Sequence, residues 1–315
     1  MHSDNKKSSN TIKTLAHHIA FTRPLLLIPI WTAAILGFWA GGGNRGAKNH
    51  WELILLTTFL GIGIYGINQI FDKVADRENE KHLPLAMGLI SPFMAWFITI
   101  SGFVGALVIG IFKTPAIAIL TVICVLLGIA YSAPPLKLKD RWLHALIANG
   151  VGHGALVFLL GYFYALHQCE ECKFSILAIL KCIAFASAFA TVYIFTTLLD
   201  TEGDRKFGKE TIAVKFGLRR SGAFGLLGLL ISLILAVIAR EPALFLTAII
   251  ATPFYAGALA DESIEKAKIE RANKIAVLVL AITTIFYEPT MLIPLVLAIG
   301  FAAIYYRKIV GVKYP

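Results

Sequence analysis

The sequence breaks into ten apolar runs, most of them long enough to cross a bilayer, at about 24–41, 51–71, 93–112, 115–131, 143–166, 175–199, 221–239, 242–260, 274–287 and 290–306. A spanning helix needs roughly 17–25 such residues, and inside lipid only helices and closed barrels satisfy their own backbone groups. Runs this long predict an all-α fold, a polytopic bundle of transmembrane helices. Composition agrees: 57% of the 315 residues are hydrophobic and 15% charged, and the mean hydropathy of +0.75 excludes an ordinary soluble domain. The run at 274 is short and Glu288-Pro289 parts it from its neighbour, so the pair reads as two helices or as one kinked helix.

The net charge of +10 has to sit in the loops, because a cation at the bilayer centre costs roughly 2.5–3.5 kcal/mol. When the loops are assigned alternately to the two sides, 23 of the 29 Lys and Arg fall on one side: the tail to Arg23, the loops near 72–92, 132–142, 200–220 and 261–274, and the tail from 307. The positive-inside rule makes that side cytoplasmic. Both ends then lie inside, an even number of crossings is required, and ten is favoured over nine. Residues 1–20 are polar and basic and read as a cytoplasmic tail with no cleavable signal peptide, leaving 21–315 as one transmembrane domain in the cell membrane. The basic residues form short clusters between spans. A nucleic-acid surface would gather them on one solvated face, so the expected partner is membrane lipid and no nucleic acid.

Of the four cysteines, Cys124 and Cys182 lie within apolar runs and read as packing residues, while Cys169 and Cys172 form a C-x-x-C in a polar loop. That pair is either a local disulfide or half of a metal site. His17, His18, His144, His153 and His167 have no acidic partner at metal-ligand spacing and read as interfacial or packing residues.

The chemistry gathers on the cytoplasmic side. The second span ends in Asn68-x3-Asp72-x3-Asp76 and the sixth in Asp200-x3-Asp204. Residues four apart share a helix face, so each motif presents oxygen ligands in a row. Mg²⁺ prefers carboxylate and water oxygens and is commonly held by one or two carboxylates together with substrate phosphates. Four carboxylates at one mouth repel one another unless cations intervene. Two such clusters therefore suit a diphosphate carried by Mg²⁺, with Asn68, Asp72, Asp76, Asp200 and Asp204 as the metal ligands. In a third cytoplasmic segment, Tyr131 to Arg141, Pro134 and Pro135 stop the preceding helix and let Lys137, Lys139 and Arg141 project. Lys139 and Arg141 read equally as phosphate ligands or as membrane-surface anchors. Arg205 and Lys206 follow the second acidic pair directly and are placed for the diphosphate.

Two other classes compete. A cation-coupled transporter using intramembrane Asp pairs would favour acids near mid-span, whereas these lie at span ends with basic neighbours. A phosphatidyl-group transferase of the CDP-alcohol kind expects a compact, Gly-containing acidic motif on one segment, and the sequence contains none.

In this set of motifs the chain resembles the UbiA superfamily of intramembrane prenyltransferases. Asn68-x3-Asp72-x3-Asp76 and Asp200-x3-Asp204 match its two signatures. Around them stand Arg23-Pro24, then Asn79-Glu80, Pro84, Gly88 and Ser91, and finally Gly203-Asp204-Arg205-x2-Gly208 leading to Thr211-x-Ala213-Val214-x-Phe216-Gly217. Tyr131 to Lys139 is similar to chlorophyll and bacteriochlorophyll synthases, while Leu83-Pro84-Leu85-Ala86 is similar to homogentisate prenyltransferases. The resemblance implies nine core helices around a central cavity that opens to lipid and is capped by the two Asp-rich loops, so the count of ten means either a tenth helix added at the C-terminus or a misreading at 274–306. It implies transfer of an isoprenyl group from an allylic prenyl diphosphate to a lipophilic acceptor of aromatic, tetrapyrrole or glycerol-lipid type, with two Mg²⁺ ions on the diphosphate. Arg23, Arg77, Lys137 and Arg205 would then neutralise the leaving group, and Tyr131 would face the allylic cation.

Overall fold

Apolar side chains without a polar alternation leave these runs only one way to satisfy their backbone in lipid, and all ten are helical. The structure is a computed structural model and describes residues 2–43, 50–79, 81–169, 172–260 and 264–312, with residues 2–10 as backbone only. Arg45, Lys48 and Lys313, which entered the loop count, and Glu80 of the Asn79-Glu80 motif lie outside the described residues. Among the described residues there is no strand, only one isolated bridge between Arg141 and Glu210.

In chain order the helices are α1 (His2–Phe21), α2 (Pro24–Ala40), α3 (His50–Glu78), α4 (Pro92–Ile111), α5 (Pro115–Ser132), α6 (Trp142–Asn149), α7 (Val157–Leu166), α8 (Ile176–Lys206), α9 (Ile212–Phe216), α10 (Leu218–Ile238), α11 (Pro242–Ala260), α12 (Lys266–Tyr287) and α13 (Leu292–Ile304). A π-helical turn, Gly150–Leu156, joins α6 to α7 into one span. Starts are written into the sequence as a capping hydroxyl followed by proline. Ser91 accepts from the Met94 N–H ahead of Pro92, and Thr114 accepts from the Ile117 N–H ahead of Pro115. Among the described residues eight helical spans are long and apolar enough to cross a membrane on their own, and α1–α2, bent by 44°, makes nine. The apolar part of α12 packs against α2, α8 and α11 after charged opening turns. Glu288-Pro289 separates α12 from α13 by a short 3₁₀ turn, so the last two runs are two helices.

Residues 11–20, read as part of the tail, form with Phe21 the end of α1. His17 Nδ1 lies 2.9 Å from the Tyr305 hydroxyl, and Phe21 is fully buried beside Leu85, Ile90 and Ala95. The alternation of Ile12, Leu15, Ile19 with Ala16 and Ala20 gives this segment two apolar sides. Ala16 and Ala20 meet Tyr305, while the larger side chains stay exposed.

At the centre runs α2, buried almost all round from Leu27 to Phe38 and packed against α3, α7, α12 and α13. Outer helices show the reverse pattern. Phe93, Phe97, Ile100, Val104 and Ile111 form an exposed apolar stripe along α4, which suits lipid and not water. The close approach of α2 and α7 depends on Gly37 and Gly161. A Cβ at Gly37 would fall 2.0 Å from the Phe158 carbonyl oxygen, and one at Gly161 1.8 Å from that of Ala34.

Because both obstacles are backbone atoms, Gly161→Val has to separate the two helices. It is expected to lower stability by about 1–3 kcal/mol, the usual cost of overpacking a well-filled interior, and thermal melting in detergent would show it. An unchanged midpoint would mean that α2 and α7 do not meet here.

Candidate active site

Two helices overrun the membrane. With a rise of 1.5 Å per residue, the 31 residues of α8 extend about 46 Å, well beyond a hydrocarbon core of about 30 Å. The continuations of α3 and α8 carry the two acidic motifs, so Asn68, Asp72 and Asp76 do share one helical face, as do Asp200 and Asp204.

Each helix then turns back on itself in the same way. The Lys81 N–H donates to the Asp76 carbonyl at 2.9 Å, and the Lys209 N–H donates to the Asp204 carbonyl at 2.9 Å. Each lysine, five residues after its aspartate, is thereby folded over it. For α8 the reversal depends on Gly208, whose φ of +68° is the left-handed C-terminal geometry that glycine adopts without strain. The lysine side chains link the two motifs. Lys81 Nζ lies 3.3 Å from Asp76 and 3.9 Å from Asp200, while Lys209 Nζ lies 3.5 Å from Asp72 and 3.7 Å from Asp204. A third cation, Lys139, pairs with Asp72 at 2.8 Å. It comes from the loop after α5, which is held to the loop after α8 by the Glu210 N–H donating to the Asp140 carbonyl at 2.9 Å. All three loops thus meet at one mouth.

Asp76, Asp204 and Lys139 are 6%, 9% and 7% exposed. Burial pulls the pKa of Lys139 down, an effect that Asp72 only partly offsets. Burial also opposes the charge on Lys209, but Asp72, Asp204, Asp140 and Asp76 outweigh it and hold that pKa above the usual lysine range. Asn68 donates through Nδ2 to Asp72 at 3.1 Å and to Ser132 at 3.4 Å.

Below the mouth lies a cavity of about 380 Å³. Asn68, Asp72, Asp76, Asp200, Asp204, Tyr131 and Arg23 all line it, and its deeper walls are apolar, with Phe189, Val192, Leu229, Leu244 and Leu280. The Tyr131 hydroxyl accepts from Asn149 Nδ2 at 3.0 Å. Four expected diphosphate residues, Arg77, Lys137, Arg205 and Lys206, are not among the lining. Arg77 and Arg205 each follow an inward Asp by one position, a rotation of about 100°, and both are exposed. Lys206 pairs outside the mouth with Glu78 at 2.8 Å. Lys137 precedes the 3₁₀ turn Leu138–Asp140 at φ 39° and is half-buried away from the chamber. Lys81, Lys139 and Lys209 occupy the positions foreseen for these four. The spacing Asp-x4-Lys, present in both Asp76–Lys81 and Asp204–Lys209, was the available signal for two of them.

Among the described residues no three His, Cys, Asp or Glu converge on a single point, because lysines stand between the carboxylates. Mg²⁺ needs only one or two carboxylates when phosphate oxygens complete its shell, so this donor set fits a metal that arrives with a diphosphate. Charge leads to the same conclusion. The charged side chains lining the chamber are four carboxylates and four cations, Arg23, Lys81, Lys139 and Lys209. A diphosphate alone would add about three negative charges and two Mg²⁺ alone four positive, but together they leave the site within about one charge of balance.

Residues 26–273 match the model of the UbiA prenyltransferase family. The chain is 34% identical to 2-acylphloroglucinol 4-prenyltransferase of Humulus lupulus over 196 residues, 59% of this chain and 46% of that protein. It is 36% identical to probable homogentisate phytyltransferase 2 of Oryza sativa over 184 residues, 56% of this chain and 47% of that one. The chain therefore spans about half the length of these curated relatives. Its fold is shared with a UbiA homolog from Archaeoglobus fulgidus solved with GPP and Mg²⁺, at a TM-score of 0.66 and 21% identity over 85% of this chain and 99% of that one. The chain belongs to the UbiA prenyltransferase family.

Proposed function

We propose that this member of the UbiA prenyltransferase family moves an isoprenyl group from an allylic diphosphate to a lipophilic aromatic acceptor within the membrane. The observation that carries this reading is the pair of lysine-bridged acidic motifs, from two different helices, at the head of one apolar chamber. Asn68, Asp72, Asp76, Asp200 and Asp204 would hold two Mg²⁺ ions. Bound there, the metal would draw charge from the diphosphate and ease cleavage of its bond to the allylic carbon. Lys81, Lys139, Lys209 and Arg23 would exchange carboxylate partners for phosphate oxygens and stabilise the charge that develops on the leaving group. Tyr131, fixed by Asn149, would face the allylic carbon. Phe189, Val192, Leu229 and Leu280 would enclose the chain and keep water from the cation. Among aromatic, tetrapyrrole and glycerol-lipid acceptors, the names of the relatives support the aromatic class. A transporter would favour carboxylates at mid-span, a position these do not occupy.

Released diphosphate would leave to the cytoplasm of a cell-membrane enzyme. The 23-to-6 division of Lys and Arg supports that orientation. So does the Cys169–Cys172 disulfide, which lies in the loop between α7 and α8, at the opposite end of α8 from Asp200, and suits an oxidising exterior.

Calorimetry with geranyl diphosphate is expected to show binding that collapses when a chelator removes Mg²⁺. Asp72→Ala and Asp200→Ala are expected to abolish transfer in a folded protein. Lys139→Met and Lys209→Met should weaken diphosphate binding at least about tenfold, a loss of about 1.4 kcal/mol, whereas Arg77→Ala, Arg205→Ala and Lys206→Ala should stay within about threefold, as for exposed charges. Equal affinity with and without metal would remove the reading.

Orientation has its own check. In a background lacking the four native cysteines, single cysteines at Asn79, Asp140 and Lys209 should react with an impermeant thiol reagent from the cytoplasmic side, and those at Gly43 and Gln168 from the other. Labelling of Asp140 together with Gly43 would contradict a single mouth.

A further inference from the structure

Against the chamber lies a second, smaller cavity, here called its arm, that diphosphate chemistry leaves unused. Its volume is about 160 Å³, against about 380 Å³ for the main chamber, and the two share a rim of Arg23, Tyr65, Asn68, Tyr131, Asn149 and His153. Past that rim the arm is apolar, walled by Leu60, Ile64, Leu127 and Val157 among others. An apolar cavity of about 150 Å³ holds one benzene ring. The arm therefore suits a single ring, and a chain of ten or more carbons needs the larger chamber.

His153 stands at the junction in a distinctive setting. It lies in the π-helical turn Gly150–Leu156, between two glycines that let the turn press against α8. A Cβ on Gly150 would come within 2.8 Å of the Ala186 carbonyl oxygen, and one on Gly154 within 2.6 Å of that of Phe185. The imidazole is stacked on Tyr65, with centroids 5.9 Å apart and planes 20° apart. Its Nε2 is buried and has no hydrogen-bond partner among the described residues. Neighbouring Asn149 is already committed, donating to the Tyr131 hydroxyl and to the Ala145 carbonyl. Leaving a buried polar atom unpaired is costly, a cost that a hydroxyl bound in the arm would relieve.

Building on the prenyl-transfer reading, we propose that the small arm holds a hydroxylated aromatic ring of the acceptor and that His153 Nε2 is the base that takes its phenolic proton. The neutral imidazole carries its proton on Nδ1 and offers the Nε2 lone pair. The allylic C–O bond breaks and its electron pair leaves on the diphosphate. The ring carbon beside the hydroxyl bonds to the allylic carbon while the phenolic proton passes to Nε2, giving a cyclohexadienone. The hydrogen on the new sp³ carbon is then lost as a proton to the departing diphosphate, and Nε2 returns its proton to the oxygen. The net products are the prenylated phenol and a protonated diphosphate, and His153 ends as it began.

The test uses the purified full chain with Mg²⁺, geranyl diphosphate and homogentisate, and measures donor binding separately by calorimetry with a non-reacting geranyl thiodiphosphate. His153→Gln keeps a hydrogen-bond acceptor but removes the base, so kcat should fall about 100-fold while the acceptor KM stays within about threefold. Leu127→Trp fills the arm without altering its rim and should raise the acceptor KM at least about tenfold. Neither change should shift the donor Kd more than about twofold. A His153→Gln enzyme with kcat within about threefold of the native value, or a Leu127→Trp enzyme with native acceptor KM, overturns the inference and leaves the prenyl-transfer reading standing. A native protein that binds no Mg²⁺–diphosphate overturns that reading and the inference with it.

Discussion

Everything at the mouth of this bundle follows from four carboxylates held in a partly buried space by two helix ends. Left alone they would repel one another, and the chain answers with cations drawn from its own loops. Lys81 and Lys209 each join an aspartate of their own helix to one from the other motif, and Lys139 adds a third loop. A bridging cation of this kind can be exchanged for another. The same arrangement that keeps the site assembled without ligand supports a site that trades lysine for metal when an anion arrives to occupy the lysines.

The scaffold serves that arrangement with few devices. Long helices α3 and α8 raise the acids beyond the lipid, and a reversal at each end returns a lysine over an aspartate. The bridge between Arg141 and Glu210 brings in the third loop. On the membrane side, α2 is enclosed by its neighbours through the close approach at Gly37 and Gly161, while large apolar side chains on the outer helices meet lipid. Chamber and mouth are therefore parts of one packed body.

The spans were legible because apolar length is a direct requirement of the bilayer, and the acidic pairs because four-residue spacing maps straight onto a helix face. Of the cations at the mouth, Arg23 and Lys139 were among the candidates, but Lys81 and Lys209 were not. Proximity in sequence favoured Arg205 and Lys206, and the resemblance added Arg77, but one step along a helix points a side chain away, whereas five steps through a reversing turn bring it back. That is why Lys81 and Lys209 take the places expected of their neighbours. His153 read as a packing residue since nothing in its spacing announces a π-helical turn, and its exposure to a cavity depends on how α6, α7 and α8 meet. Residues 1–20 read only as a polar, basic tail, and the docking of α1 through Phe21 and His17 was not legible because those contacts are made with distant parts of the chain. Cys169 and Cys172 left two readings open at the level of spacing, and the structure joins them as a disulfide.

On the function proposed above, the lysine-bridged carboxylates are the resting form of a metal–diphosphate site. A structure determined with Mg²⁺ and a non-reacting allylic thiodiphosphate tests it most directly. Metal is expected on carboxylates of both motifs, diphosphate between α3 and α8, and the Nζ atoms of Lys139 and Lys209 moved from Asp72 and Asp204 onto phosphate oxygens. A diphosphate bound away from the mouth, with every lysine still on its carboxylate, would contradict it.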